Sequence, residues 1–118
     1  MRVTRAEIVE LLREWRAGGF TPAAVYAWAS ARFLPGDNEF DDETPEGDSA
    51  ANVVLGHLAS LDVHLVAPDD VPAYLDFLAT TPDRFAEGYA AWRAAVESVD
   101  YGARRQALCG DPLYAPFC

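Results

Sequence analysis

The chain contains no lysine. All nine of its bases are arginine, set against nineteen Asp and Glu, so the formal net charge is −10 over 118 residues. Binding nucleic acid needs cationic groups that displace counterions from phosphates, and a surface of this sign repels them. An anionic membrane is disfavoured by the same argument. The loss of lysine beside abundant Ala, Asp and Arg fits a GC-rich bacterial genome. Long apolar runs are also missing, and none approaches the eighteen or so residues that span a bilayer. Charges interrupt every apolar pair in the opening MRVTRAEIVELLREW, which excludes a secretory h-region there. These absences point to a soluble, cytoplasmic protein. Cysteine is scarce, with Cys109 and Cys118 alone, and in that compartment reduced thiols are expected. The two would pair only if the last residues fold back.

Sequence motifs with a fixed chemistry are absent as well. There is no GxGxxG, GxxxxGK[ST], HExxH or CxxC. The pair Gly18-Gly19 precedes a helix start but follows a helix, with no nearby lysine, so it is not a phosphate-binding turn. No window shows sustained period-two alternation, and no Asn-Gly or Asp-Gly joins strand-like runs.

What is present is apolar surface. Hydrophobic residues make up 51% of the chain, with three Trp, five Tyr and six Phe, enough for one core at this length without a metal or disulfides. Thr4-Arg5-Ala6-Glu7 matches a capping box, and Ile8, Leu11, Leu12 and Trp15 follow at helical spacing up to Gly18-Gly19. Thr21-Pro22 opens a second helix, striped by Val25, Trp28, Ala29 and Phe33 (or Leu34) and stopped by Pro35-Gly36. Asp48 or Ser49 caps a third, with Val54, Leu58, Leu61 and Leu65 on one face. Asp69 or Asp70 starts a short fourth through Leu78. Thr81-Pro82-Asp83 repeats the cap ahead of Phe85, Tyr89, Trp92, Val96 and Val99. Asp100 caps a last helix through Leu108. The reading is an all-α bundle of five to six helices in a single domain, residues 1–118, with an acidic loop at 35–48 and an irregular tail at 110–118.

The acidic loop contains Asp37, Glu39, Asp41, Asp42, Glu43, Glu46 and Asp48 with no base among them. From Phe33 to Asp83 there are twelve Asp or Glu and no Arg. A calcium loop starting at Asp37 would want Gly at its sixth position and a bidentate Glu at its twelfth. The chain has Asp42 and Asp48 there, and Pro45 at the ninth, so no metal and no cofactor are expected. Two readings stay open for the loop. It is a solvated connection, or it is a docking surface for a basic protein, with Phe40 either an apolar anchor among the carboxylates or folded inward to pin the loop.

His57 and His64 lie two turns apart on the expected third helix, roughly 10 Å at 1.5 Å per residue. That is too far to share one ion unless the helix breaks between them. His57 is expected on the surface and His64 partly buried. Ser60, His57 and Asp62 do not point at a common centre on a helix, so they make no triad. Cys109 near a helix C-terminus is at the wrong end for thiolate activation. Trp15, Trp28 and Trp92 are expected in the core.

The punctuation of ELLREWRAGGFTPAAVYAWA, a capped helix ending in a Gly turn before a second helix, resembles the opening of small bacterial immunity proteins of the colicin D type over about thirty residues. The resemblance implies a small acidic helical protein that sits on a basic nuclease active site and blocks it. It implies no individual inhibitory residue. Three functions follow for weighing. The first is a non-catalytic binding module for a basic protein partner, concretely a toxin nuclease, using Asp37, Glu39, Phe40, Asp41, Asp42, Glu43, Glu46 and Asp48. The second is a small enzyme or ligand-binding bundle. The third is a self-associating module, a possible homodimer, using Phe85, Tyr89 and Trp92.

Overall fold

A computed structural model describes residues 1–118. The chain is all-α. Its helices are α1 (Arg5–Arg16), α2 (Pro22–Phe33), α3 (Ala50–Leu58), the single turn α4 (Leu61–His64), α5 (Val71–Leu78), α6 (Phe85–Glu97) and α7 (Tyr101–Leu108). Short 3-10 turns at Pro68–Asp70, Pro82–Arg84 and Ala115–Phe117 join or follow them. No helix is long and apolar enough to cross a membrane.

Local chemistry accounts for most boundaries. The Thr4 hydroxyl accepts from the Glu7 N–H while the Glu7 carboxylate accepts from the Thr4 N–H, a complete capping box on α1. At the other end Gly18 takes φ +88°, which lets the Gly19 N–H return to the Glu14 carbonyl at 2.8 Å. Thr21, Ser49 and Asp100 cap α2, α3 and α7 through their side chains. The expected Thr81 cap does not form. A 3-10 turn precedes α6, and the Thr81 side chain makes no cap hydrogen bond.

One core gathers Ile8, Leu11, Leu12 and Trp15 of α1, Val54, Leu55 and Leu58 of α3, Val71, Tyr74, Phe77 and Leu78 of α5, and Trp92 of α6. Burying each large aliphatic side chain stabilises by about 1.5–3 kcal/mol. Helix α5 is the hub, packed on α1, α3 and α6, while α2 lies on α3. Helix α7 buries no residue fully. It is held by Arg104, whose guanidinium donates to both Asp70 oxygens at 2.7 and 2.9 Å and to the Leu65 carbonyl at 2.8 Å.

Beyond the Thr81 cap, the path and cross-links of the chain depart from the sequence reading in three places. First, a two-residue parallel pairing joins β1 (Arg2–Val3) to β2 (Glu39–Phe40), with Arg2 opposite Glu39 and Val3 opposite Phe40. Elements this short leave no alternation to detect. Second, the expected third helix breaks after Leu58. Ser60 donates its hydroxyl back to the Gly56 carbonyl at 2.8 Å, and Leu65 adopts a left-handed φ of 52°. That conformation is strained for a side chain with a Cβ, and burial of the Leu65 side chain offsets it. Third, Cys109 and Cys118 are joined as a disulfide. The tail does fold back, because Tyr114 is buried and donates its hydroxyl to the Val66 carbonyl at 2.6 Å. The expectation of free thiols fails.

Candidate protein-binding surface

The acidic loop is built, not slack. The adjacent residues Asp41 and Asp42 each serve the N-terminus of a different helix. Asp41 accepts from the Arg5 N–H that opens α1, at 2.9 Å, and pairs with the Arg5 guanidinium at 3.8 Å. Asp42 is buried, accepts the Ser49 hydroxyl, and takes the Ala51 N–H of α3 at 3.0 Å. Both carboxylates thus meet orphan N–H groups and the positive end of a helix dipole. Beyond them the loop bonds to itself. Asp48 N–H donates to the Thr44 hydroxyl, Thr44 N–H donates to the Asp48 carbonyl, and Gly47 supplies the positive φ of +87° that the turn requires.

The remaining loop acids face outward. Asp37, Glu39, Glu43, Glu46 and Asp48 are all exposed. Asp37 lies 3.9 Å from the Met1 ammonium, and the other four form no ion pair. Phe40 is half-buried against the core, so it pins the loop from inside. The exposed apolar groups beside it are Leu34, 76% exposed, and Phe33, whose ring stands over Gly56 so closely that a Cβ there would meet it at 3.2 Å. Phe33, Leu34, Gly36, Asn38, Phe40 and Asn52 line a depression of about 440 Å³, its loop residues alternating in sequence with Asp37 and Glu39. The sequence reading placed Phe33 or Leu34 in the core stripe of α2 and so missed this patch. The Pro35-Gly36 stop was the available signal, since a residue in the final turn of a helix readily projects past its neighbours.

A second cluster has polar character. Because the chain breaks at Ala59-Ser60, the rings of His57 and His64 stack with centroids 4.2 Å apart, not 10 Å. His57 is half-buried and His64 exposed, the reverse of the expected order. His57 Nδ1 lies 3.2 Å from the Tyr74 hydroxyl, and the imidazole meets the Trp92 ring edge-on at 4.6 Å. Burial, then the neighbouring His64 and Arg93, lowers the His57 pKa to about 4 against the pull of Asp70. Burial and then Asp70 raise that of Tyr74. Hydrogen bonding to Asp70 raises that of Arg104. Perturbed groups of this kind flag functional sites, yet the space they enclose is about 10 Å³, room for a single water at most. Asp62 and Ser60 take no part in it. Ser60 is engaged with Gly56, and Asp62 accepts from the Val63 N–H.

Trp15 and Trp92 are in the core as expected, and Trp28 is half-buried. Of the proposed self-association face, Trp92 is buried and stacks on Phe77, with Phe85 and Tyr89 stacked beside it. Much of that face is therefore used inside the molecule, against α5.

No described protein family matches this chain, and no solved structure matches it. Over 82 residues, 68% of its length, the chain is 35% identical to a probable cysteine desulfurase of Pseudomonas putida. The match spans 20% of that protein, so the chain corresponds to about a fifth of the relative.

Proposed function

We propose that this chain is a non-catalytic acidic module that docks a basic protein, most concretely an immunity-type inhibitor that covers the basic active site of a nuclease toxin in the bacterial cytoplasm. The observation that carries this reading is the construction of the acidic loop. Two of its carboxylates are committed to helix N-termini, which fixes the backbone. Glu39, Glu43, Glu46 and Asp48 are thereby presented on a held frame beside exposed Leu34 and Phe33. A preordered surface loses little entropy on binding. Its carboxylates take the places of substrate phosphates opposite the partner's Lys and Arg, while Leu34 supplies apolar contact.

Affinity capture from lysate of the source bacterium, washed at low and at high salt, identifies the basic partner and its assayable activity. With that partner in hand, changing Glu39→Gln, Glu43→Gln and Glu46→Gln together lowers the association rate by about tenfold or more at low salt and leaves dissociation nearly unchanged. An association rate indifferent to both the triple change and ionic strength would sink the reading. The 82-residue similarity favours a second one, in which this helical unit is an accessory of a larger sulfur-mobilising enzyme. Co-purification of desulfurase activity with the chain separates the two.

A further inference from the structure

Between α1 and α2 lies a cleft of about 320 Å³, lined by Glu7, Glu10, Leu11, Glu14, Phe20 and Trp28. The three glutamates are three and four residues apart, so they share one stripe of α1. Like charges at these spacings cost an isolated helix a few tenths of a kcal/mol, and no arginine pairs with any of them. Glu7 is partly engaged in its capping box. Glu10 makes no side-chain hydrogen bond, and Glu14 lies over the turn in the space that Gly19 leaves, where a Cβ would meet its Oε2 at 2.7 Å. The opposite side is aromatic. Phe20 is 40% exposed and Trp28 half-buried.

An independent observation indicates what such walls accept. The guanidinium of Arg32 sits 3.8 Å from the Trp28 ring centroid, held by a 3.0 Å hydrogen bond to the Trp28 carbonyl. The indole that borders the cleft is thus already a guanidinium-stacking ring within this chain. The three glutamates form no cluster that could hold a metal ion, and their spread over roughly 10 Å of helix suits an elongated organic cation that meets two of them.

We propose that this cleft takes the arginine side chain of a basic protein partner, with the guanidinium between the Glu10 and Glu14 carboxylates, its aliphatic stem over Leu11, and Phe20 and Trp28 at its flanks. The inference rests on the binding-module reading and adds a second contact to it, separate from the loop. Arginine is specified over lysine because its planar fork bridges two carboxylates and stacks on aromatic faces, which a compact ammonium does not.

The test titrates the ¹⁵N-labelled protein with an oligoarginine and an oligolysine peptide of equal length at low ionic strength, following the indole N–H resonances of Trp15, Trp28 and Trp92. Binding in the cleft moves the Trp28 signal and leaves those of Trp15 and Trp92 in place. The arginine peptide binds about tenfold tighter than the lysine peptide. Glu10→Gln with Glu14→Gln, at exposed positions that keep the fold, removes that preference. Equal affinity for the two peptides, an unmoved Trp28 signal, or no binding overturns the cleft assignment. If the loop triple variant weakens binding while the Glu10/Glu14 variant does not, the cleft is overturned and the acidic-module reading stands. If the cleft variant alone weakens it, the cleft holds and the loop's role falls.

Discussion

Asp42 and Glu43 are neighbours in an acidic run and do opposite things. Asp42 is buried with two hydrogen bonds at the start of α3, and Glu43 is exposed. Replacing Asp42 with Asn removes a charged acceptor from a helix N-terminus and should destabilise by about 2–3 kcal/mol. Glu43→Gln should stay within about 0.5 kcal/mol. Urea unfolding followed by tryptophan fluorescence distinguishes the two, and equal costs would refute the assignment. A signed pH effect belongs to His57. Its folded pKa of about 4 lies below the ordinary 6.5, so the unfolded chain binds the proton more readily. The contribution to stability is complete above pH 6.5 and is lost as pH falls toward 4. A shift of this size is worth at most about 3 kcal/mol, and partial exposure to screening water brings it to about 1–2. The groups facing this imidazole are His64, Tyr74, Arg93 and Asp70, together with the Trp92 ring. Because carboxylates titrate in the same range, the relevant measurement is the difference between the native protein and His57→Gln, whose stability should fall less over that window.

At the scale of elements, α6 packs closely on the turn that follows α5 because Gly88 has no side chain. A Cβ there would meet Thr80 Cγ2 at 2.7 Å and collide with its hydroxyl oxygen. Thr80 is β-branched and stiff at χ1, so it does not swing clear. Gly88→Ala should therefore cost about 1–3 kcal/mol despite the better helix propensity of alanine. Adding Thr80→Ala should restore most of the loss, and a thermal melt of the double variant reads this directly. The same scale shows what was legible in the sequence. Thr4, Thr21, Ser49 and Asp100 announce their helices because a cap is a local device, complete within four residues. The left-handed φ of Leu65, which ends α4, goes with burial of its side chain, a tertiary contact that no local motif announces. The break between α3 and α4 was hidden because the Leu58, Leu61, Leu65 spacing mimics an unbroken helix. The stacked histidines follow from that break and were unreadable for the same reason. The roles of Asp41 and Asp42 were equally hidden, since a run of like charges does not say which members turn inward.

Over the whole molecule, charge opposes cohesion. A net charge of −10, with a central stretch lacking arginine, makes the folded state self-repelling. Raising ionic strength from about 0.01 to 0.15 M shortens the screening length from about 30 to 8 Å, and Tm should rise by about 2–5 °C. A fall would mean that the attractive pairs, Arg5–Asp41 and Arg104–Asp70, outweigh the repulsion. The fold class was readable at this scale, since apolar stripes recur with a helical period from Ile8 to Val99. The acidic character was readable too. Its division into capping, pairing and outward-facing groups was not.

The bond from the Tyr114 hydroxyl to the Val66 carbonyl spans 48 residues, and it fixes an order of events during synthesis. A nascent chain that has emerged only as far as α6 already carries the hub, α5, and most of its neighbours, but Val66 and Leu65 lack the cover that Tyr114 and Arg104 later provide. Until those residues leave the ribosome, the half-made bundle exposes an apolar seam to chaperones and to other nascent chains. Completion of the core therefore waits until Arg104 and Tyr114 have emerged.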